Sequence, residues 1–349
     1  MSKQADKVTL KMIAAEAGVS IGTVARALNN RDGVNQITRQ MILSVAERLD
    51  YHPGKLAGAP ARKKALRIGV AYPEMPGEFY SLIDKGVADA ANELADIGVI
   101  VESIRYEAQS PEIELARLSD LDVSKYDGLA INSAGPAIEA VIDRFIAFGL
   151  PVITFNTDAV NSSRLFYVGS NTRLSGRMGA EMLAMLMCHS GKVAVLGDFT
   201  RATPFIERFS GFCEYIQQNY PDIQIHPCAH ASNSEDSMAN SLIEMLNLIP
   251  DIGGAFCTGY TSMIGALEAL RETGRDDIRL VGYDVTKRSA EAVLDNRIDA
   301  LIFQDPYQQG YKAAHLLARY LIDGVLPEKQ QLYIENRFVL KSNIDIYIR

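Results

Sequence analysis

Three side chains that could bind a metal ion stand at alternate positions in the segment HPCAH. Successive side chains of a strand point to opposite faces, so His226, Cys228 and His230 would share one face and present imidazole and thiolate ligands of the kind that zinc takes. Pro227 interrupts the run, and the sequence offers no second ligand pair of matching spacing. We therefore expect no metal site and no cofactor.

The motifs of common catalytic chemistry are also missing. No GxGxxG follows the first predicted strand, no GxxxxGK precedes a Ser or Thr, and neither HExxH nor a pair of CxxC motifs occurs. The four cysteines lie far apart, which is typical of reduced thiols and not of a disulfide framework. We predict no catalytic residues. An enzyme remains an alternative, and it would need a convergent acid, base or metal site.

Residues 8–30, VTLKMIAAEAGVSIGTVARALNN, predict hydrogen bonding to nucleic acid. Apolar side chains recur at helical spacing on both sides of Gly18, which permits a tight turn between two short helices. Ser20 is placed to cap the second helix, and Arg26 on its exposed face can donate two hydrogen bonds to a guanine edge. The residues expected to contact bases or phosphates are Thr9, Ser20, Ile21, Gly22, Thr23, Arg26, Asn29, Asn35, Thr38 and Arg39.

Charge is divided unevenly along the chain. Residues 1–64 carry eleven Lys or Arg and five acids, a net charge of +6, so the rest of this −8 chain carries −14. A basic end on an acidic body favours a polyanionic partner for that end.

The order of elements predicts two kinds of domain in the 349 residues. Three short helices precede residue 51, a small and basic linker follows at 54–65, and strands then alternate with helices. Such alternation is typical of parallel sheets covered on both faces, and a break in rhythm near 157–172 favours two open sheets over one closed barrel. The sequence shows neither a membrane span nor a signal peptide, so we expect a cytoplasmic location away from membranes.

The helix-turn-helix segment resembles the lactose-repressor (LacI/GalR) family of bacterial transcription regulators. VTLKMIAAEAGVSIGTVARALN follows the family pattern, and RLDYHPGKLA resembles the family's exit into its hinge. Ala25 departs from the pattern, because the family usually has a DNA-contacting serine there. The resemblance implies an all-α DNA-binding domain at 1–52, a hinge at 53–65 and a ligand-sensing domain at 66–349.

From Leu66 onward the chain resembles the periplasmic sugar-binding-protein fold. The resemblance implies two α/β lobes, lobe 1 at about 66–171 and 305–333 and lobe 2 at about 172–304 and 334–349, with a ligand between them at the carboxyl ends of strands. Aromatic rings there would stack on a sugar, and polar groups would bind its hydroxyls. The effector-binding residues so implied are Phe79, Tyr80, Asn132, Asn156, Asp158, Arg208, Tyr260, Asp284 and Gln304.

Two departures from the family bear on binding. Gly259 and Tyr260 stand where the family commonly has an Asn-Asp pair, which indicates a remodelled cleft whose lost polarity Asp158 would supply. Pro60 matches the hinge leucine that family members press into the minor groove from a short helix. A proline inside a helix costs about 3 kcal/mol, so we expect a poorly formed hinge helix and weaker discrimination at the operator centre.

The resemblance implies a repressor that binds a palindromic operator as a homodimer, and whose affinity for double-stranded DNA is set by a small polar effector, a sugar or polyol. A solute-binding component of a transport system and a sensor of a non-sugar metabolite are the alternatives.

Overall fold

The computed structural model describes residues 10–28, 33–49, 65–75, 77–107, 111–132, 136–198, 203–229 and 234–348. They belong to two compact units, of which the second comprises Leu66–Ala95 and Val99–Arg349. Within the described part, no helix combines the length and the apolar character that crossing a membrane requires.

Three helices form the first unit, as the sequence predicts. Ile13, Val24 and Ile42, one from each helix, are fully buried in a single cluster. An ion pair of 2.5 Å between Glu16 and Arg48 joins the first helix to the third at the surface. The helices are α1 (Leu10–Ala17), α2 (Ile21–Leu28) and α3 (Gln36–Arg48).

The second unit is built on two six-stranded sheets, which confirms the two-lobed α/β prediction. The strands are β1 (Leu66–Pro73), β2 (Val99–Tyr106), β3 (Gly128–Ile131), β4 (Val152–Phe155), β5 (Tyr167–Ser170), β6 (Gly191–Gly197), β7 (Ile223–Ala229), β8 (Ile252–Cys257), β9 (Arg279–Tyr283), β10 (Ala300–Phe303), β11 (Gln331–Ile334) and β12 (Arg337–Val339). Lobe 1 has the strand order β11-β5-β4-β3-β1-β2 and lobe 2 the order β12-β10-β9-β8-β6-β7. The pairing within both sheets is parallel except between β10 and β12, which pair antiparallel.

Helices cover the faces of both sheets. Those of lobe 1 are α4 (Glu78–Ala95), α5 (Pro111–Ser119), α6 (Ala137–Ala147) and α12 (Pro306–Asp323). Those of lobe 2 are α7 (Thr172–Leu186), α8 (Thr203–Asn219), α9 (Glu235–Leu248), α10 (Tyr260–Thr273) and α11 (Lys287–Leu294).

The chain passes between the lobes at three places. It leaves the first sheet after Ser170, returns after Phe303 through α12, and leaves again after Ile334. Ile334 still belongs to the first sheet, because β11 pairs with β5 as far as Ser170. Each lobe is therefore discontinuous in sequence.

Glycines bring the helices beside the cleft close to their neighbours. A Cβ at Gly176 of α7 would collide with the backbone carbonyl of Arg208, and a Cβ at Gly211 of α8 would collide with the backbone of α7. The two helices therefore lie backbone against backbone, which fixes the point from which the Arg208 side chain starts. In lobe 1, Gly86 of α4 meets the carbonyl of Tyr307 in α12 in the same way.

Candidate functional site

The turn between α1 and α2 has the geometry that the sequence predicts. Gly18 is left-handed, with φ of 64°, and the amide of Val19 donates to the carbonyl of Ala14 at 3.1 Å, the closing bond of a glycine cap. Ser20 Oγ then accepts from the amide of Thr23 at 3.1 Å, so Ser20 caps α2.

One face of α2 is exposed while the other packs in the core. Val24 and Ala27 are buried, whereas Gly22 and Arg26 are exposed. The guanidinium Nε of Arg26 donates to the carbonyl of Gly22 at 3.2 Å, which holds the side chain along the helix toward its N-terminus. Ile21 begins α2, but its side chain lies outside the described part of the structure. Thr9, Asn29, Pro60 and most of the hinge also lie outside it.

The residues expected at phosphates near α3 have structural partners as well. Asn35 Oδ1 accepts from the amide of Thr38 at 2.8 Å and so caps α3. Arg39 Nη1 donates to the carbonyl of Ala27 at 3.2 Å, near the end of α2. The Arg39 bond joins α3 to α2, whereas the Asn35 bond is internal to the start of α3.

In lobe 2, Arg208, Gln304 and Asp284 form one hydrogen-bonded chain. The buried guanidinium of Arg208 donates to the carbonyl of Thr258 at 2.6 Å and to Oε1 of Gln304 at 2.5 Å. Nε2 of Gln304 in turn donates to Oδ1 of Asp284 at 2.8 Å. Side chains from three separate stretches of sequence therefore meet, with the amide of Gln304 between the guanidinium and the carboxylate.

The Arg208 guanidinium is packed between aromatic rings and keeps one donor unused. Its carbon lies 4.0 Å from the ring centroid of Tyr283 and 5.6 Å from that of Phe205. Its Nε is buried and has no acceptor among the described residues. A buried donor without an acceptor costs about 1–3 kcal/mol, which a ligand oxygen would relieve.

Asp284 presents a desolvated carboxylate just after β9. Its backbone is left-handed, with φ of 70°, a conformation that aspartate adopts more readily than most residues. Burial raises the pKa of this carboxyl, and the nearby Arg208 and the hydrogen bond from Gln304 oppose that rise. The carboxylate is a strong acceptor for a hydroxyl group because little water competes for it.

In lobe 1, Tyr80 and Asn132 are joined by a side-chain hydrogen bond, and burial raises the pKa of Tyr80 to about 12. The ring of Phe79 meets that of Tyr80 edge to face at 5.5 Å. Behind them the hydroxyl of Tyr106 lies 2.8 Å from the carbonyl of Asn132 and 2.9 Å from Oε1 of the buried Glu114. Sequence reasoning missed Glu114, because an acid in a short amphipathic helix resembles a surface residue.

The structure corrects the expectation for Asp158. Its Oδ1 accepts from Thr154 Oγ1 at 2.7 Å and from the amide of Ala159 at 2.8 Å, and its carboxylate forms a buried ion pair with Arg164. Both carboxylate oxygens are engaged within lobe 1, so Asp158 cannot replace polarity lost from the cleft. Asn156 instead donates from Nδ2 to Oε1 of Gln309, a residue that the sequence did not single out.

The ring of Phe205 fills the space beside Gly259, one of the two residues that stand where the family commonly has an Asn-Asp pair. A Cβ on Gly259 would lie 2.8 Å from the Phe205 ring. Tyr260 begins α10 and forms a side-chain hydrogen bond with Thr286. An aromatic ring from α8 therefore lies beside the position where the family commonly has an Asn-Asp pair. No pattern in the sequence predicts this contact.

The two lobes contact each other at the rim of this cleft. Glu78, at the start of α4, accepts a hydrogen bond of 3.1 Å from the amide of Lys287, at the start of α11. A carboxylate at a helix N-terminus is favoured because the first amides of a helix lack intrahelical acceptors.

His226 and Cys228 of the HPCAH segment lie in β7. Burial raises the pKa of the Cys228 thiol to about 11. Nε2 of His226 is buried without a hydrogen-bond partner among the described residues, and His230 lies outside them. No group of three His, Cys, Asp or Glu able to hold a metal ion occurs in the described ranges.

Comparisons with known proteins match both parts of the chain. Residues 68–324 match the family model described as periplasmic binding protein domain, and residues 9–54 match that of bacterial regulatory proteins of the lacI family. The ribose operon repressor of Bacillus subtilis is 25% identical over 315 residues, which cover 88% of this chain and 90% of the repressor. The ribose import binding protein of the same organism is 28% identical over 249 residues, covering 70% of this chain and 78% of that protein.

Among solved structures, a glucose-galactose binding protein from Geobacillus stearothermophilus superimposes with a TM-score of 0.74 at 23% identity. The match covers 80% of this chain and 99% of that protein. The likeness establishes the two-lobed fold.

Proposed function

This chain belongs to the periplasmic binding protein domain family and carries the DNA-binding domain of the lacI family of bacterial regulatory proteins, and we propose that it is a transcriptional repressor controlled by a sugar or polyol. The observation that carries the proposal is the presence of two sites in one chain. One is a capped helix with the exposed Arg26, and the other is a cleft where the buried Arg208 meets Gln304 and Asp284.

For DNA binding, we propose a domain at 1–52, a hinge at 53–65 and a sensor at 66–349. The start of α2 would enter the major groove, with Arg26 at a guanine edge and Asn35 and Thr38 at phosphates. A helix-turn-helix of this size reads few base pairs, so a twofold homodimer on a palindromic operator would supply a second half-site. Such a regulator works in the cytoplasm, where the DNA is.

For the effector, we propose a small carbohydrate bound between the lobes. Nε of Arg208 and the carboxylate of Asp284 would bind hydroxyl groups from lobe 2, and Asn132 and Asn156 would bind them from lobe 1. The rings of Phe79 and Tyr80 would cover carbon-bound hydrogens of the sugar. Ribose is named for two of the relatives, which makes neutral pentoses the first candidates.

Control of DNA binding would follow from closure of the lobes. The effector binds residues of both lobes and so favours the closed arrangement, and a difference in DNA affinity between open and closed forms makes the two binding events interdependent. No bond of the effector needs to be made or broken.

A solute-binding component of a transport system would share the sensor fold. The matched DNA-binding domain and the coverage of 88% of the chain by a repressor favour regulation.

The test combines a thermal-shift screen of neutral sugars, sugar acids and polyols with selection of binding sites from random duplex DNA. We expect a neutral sugar to raise the melting temperature, because a ligand of the folded state stabilises it by mass action. We also expect the selection to yield a palindrome. A sugar ligand without any enriched DNA site would favour the transport alternative, and the absence of both results would overturn the proposal.

A further inference from the structure

Gln309 is fully buried on the first turns of α12, the helix by which the chain returns to lobe 1. A buried amide needs partners for its donor and its acceptor, because leaving either unpaired costs more than replacing the residue by an apolar one. Its partners therefore show what the residue contributes.

The carboxamide of Gln309 bridges two of the residues proposed to bind the effector. Oε1 accepts from Nδ2 of Asn156 at 2.9 Å, and Nε2 donates to the backbone carbonyl of Gln304 at 2.9 Å. Asn156 follows β4 of lobe 1, and Gln304 stands where the chain leaves lobe 2. One end of the buried side chain thus holds a residue of lobe 1, and the other end holds the backbone where the chain passes from lobe 2 into α12.

The bridge continues into the polar chain of lobe 2. The side-chain amide of Gln304 accepts from Arg208 and donates to Asp284, while its backbone carbonyl accepts from Gln309, so Gln304 connects the Asn156–Gln309 hydrogen bond to both charged groups. Moving any one of these residues changes the geometry of the next.

The backbone of Asn156 and the start of α12 are both held by hydrogen bonds. The backbone carbonyl of Asn156 accepts from the hydroxyl of Tyr167 at 2.7 Å, and the backbone amide of Asn156 donates to the carbonyl of Val168 at 3.0 Å. Asp305 caps α12 by accepting from the amide of Gln308 at 3.2 Å, and its carboxylate also binds Arg337 of β12 at 2.5 Å. With its backbone fixed, the amide of Asn156 has one main freedom, rotation of the side chain, and Gln309 sets that rotation.

We propose that Gln309 is a positioning residue for the effector: it does not touch the ligand, but it turns Asn156 and holds Gln304 in the arrangement that the closed cleft requires. Through it, the polar groups of the two lobes are set together. The inference rests on the proposed function insofar as the ligand is a sugar, while the joining of the lobes rests on the hydrogen bonds alone.

The test replaces Gln309 by methionine, which has a similar length and no hydrogen-bonding amide. Gln308→Met is the matched control, because it makes the same change at the preceding position of α12, where the side chain is only partly buried. The probe is whichever of D-ribose, D-xylose, L-arabinose, D-glucose and D-galactose raises the melting temperature of the parent most. Calorimetry should show at least a tenfold weaker Kd for Q309M and less than a twofold change for Q308M.

A second measurement needs no ligand. Dipolar spectroscopy reports the separation of the lobes from two nitroxide labels, one at the exposed Lys85 of α4 and one at the exposed Glu291 of α11. Cys188 and Cys213 are replaced by serine so that they take no label. The distance distribution of Q309M should be broader than that of the parent, and that of Q308M should match the parent. Added sugar should narrow the distribution of the parent more than that of Q309M.

The outcomes separate the two proposals. If no sugar of the panel binds the parent, the sugar proposal fails, and the unliganded distance distributions still decide whether Gln309 joins the lobes. If Q309M lowers the melting temperature but keeps the parent's distance distribution and, where a sugar binds, the parent's Kd, its role is structural only and the inference is wrong.

Discussion

The helix-turn-helix and the cleft position their polar residues by opposite means. In the helices the hydrogen bonds are local. The hydroxyl of Ser20 accepts from the amide of Thr23, three residues away, and the guanidinium of Arg26 donates to the carbonyl of Gly22, four residues away. In the cleft, Arg208 meets Gln304 across 96 residues and Asn156 meets Gln309 across 153. The first site is fixed by the geometry of one helix, and the second is fixed by the packing of two lobes.

This difference determines how each site responds to mutation. A side chain on the exposed face of α2 can be removed with little effect on the core, so its removal should weaken DNA binding only. A residue of the cleft also has buried hydrogen-bond partners within the protein, so its removal disturbs groups that do not themselves contact the ligand. The two sites should nevertheless be separable by mutation.

The largest effect is expected from Arg208→Ala. The change leaves the Thr258 carbonyl and Gln304 Oε1 buried without their donor and removes the charge near Asp284. Effector binding should weaken by about 2–5 kcal/mol, with DNA affinity in the absence of effector unchanged. Calorimetry measures effector binding, and fluorescence anisotropy measures DNA affinity. The control is Arg177→Ala, which removes an arginine at an exposed position of α7. Effector binding at parental strength would show that the cleft is assigned wrongly.

Arg26→Ala should give the converse result. Loss of a bidentate contact to guanine costs about 1–3 kcal/mol at one base pair of each half-site and relaxes the preference there. Competition among operator variants measures that preference, and effector Kd should equal that of the parent. Arg319→Ala, which removes an exposed arginine of α12, serves as the control for charge. An unchanged ranking of operators would exclude Arg26 from base contact.

Asp284→Asn tests the electrostatics of the cleft with a smaller expected effect. Since burial raises the pKa of Asp284 in the folded protein, its charged form destabilises the fold, and this cost develops as pH rises from the ordinary aspartate range through the raised pKa. The variant should therefore have the larger free energy of unfolding at pH 7, with the difference shrinking on acidification. Denaturant unfolding at several pH values measures it.

The same group should make effector binding pH-dependent. Protonation removes the carboxylate acceptor, so the parent's affinity should begin to fall at a pH above that of an ordinary aspartate, and the affinity of the Asp284→Asn variant should stay level. Asparagine also tolerates the left-handed backbone at this position. Identical pH profiles for the two proteins would mean that Asp284 does not bind the effector.

The smallest effect is expected from Pro60→Leu. The hinge lies largely outside the described residues, and the prediction rests on sequence: a proline disfavours a helix at this position, so leucine should sharpen discrimination at the operator centre by a few fold. Affinities for operators varied at the two central base pairs measure this. If the parent already discriminates the centre as strongly as the leucine variant, the argument from helix breaking is wrong.

What the sequence could predict follows the same division between local and distant contacts. The Gly18 turn, the Ser20 cap and the positions of Arg208, Asp284 and Gln304 near one another were all accessible, the first two from local chemistry and the last three from a family resemblance. The partners of those residues were not. Arg164, Gln309 and Glu114 carry no motif. Arg164 meets Asp158 across only six residues of one loop, whose course no sequence pattern specifies, and the tertiary fold brings Gln309 to Asn156.

The central claim is that one chain couples a sugar site to a DNA site, and the most direct test measures operator affinity at zero and at saturating sugar. The operator is the palindrome selected from random DNA, and the sugar is the one that raises the melting temperature most. We predict that sugar changes the affinity of the parent at least tenfold and leaves that of Arg208→Ala unchanged at the same sugar concentration. Equal operator affinities of the parent with and without saturating sugar would contradict the account.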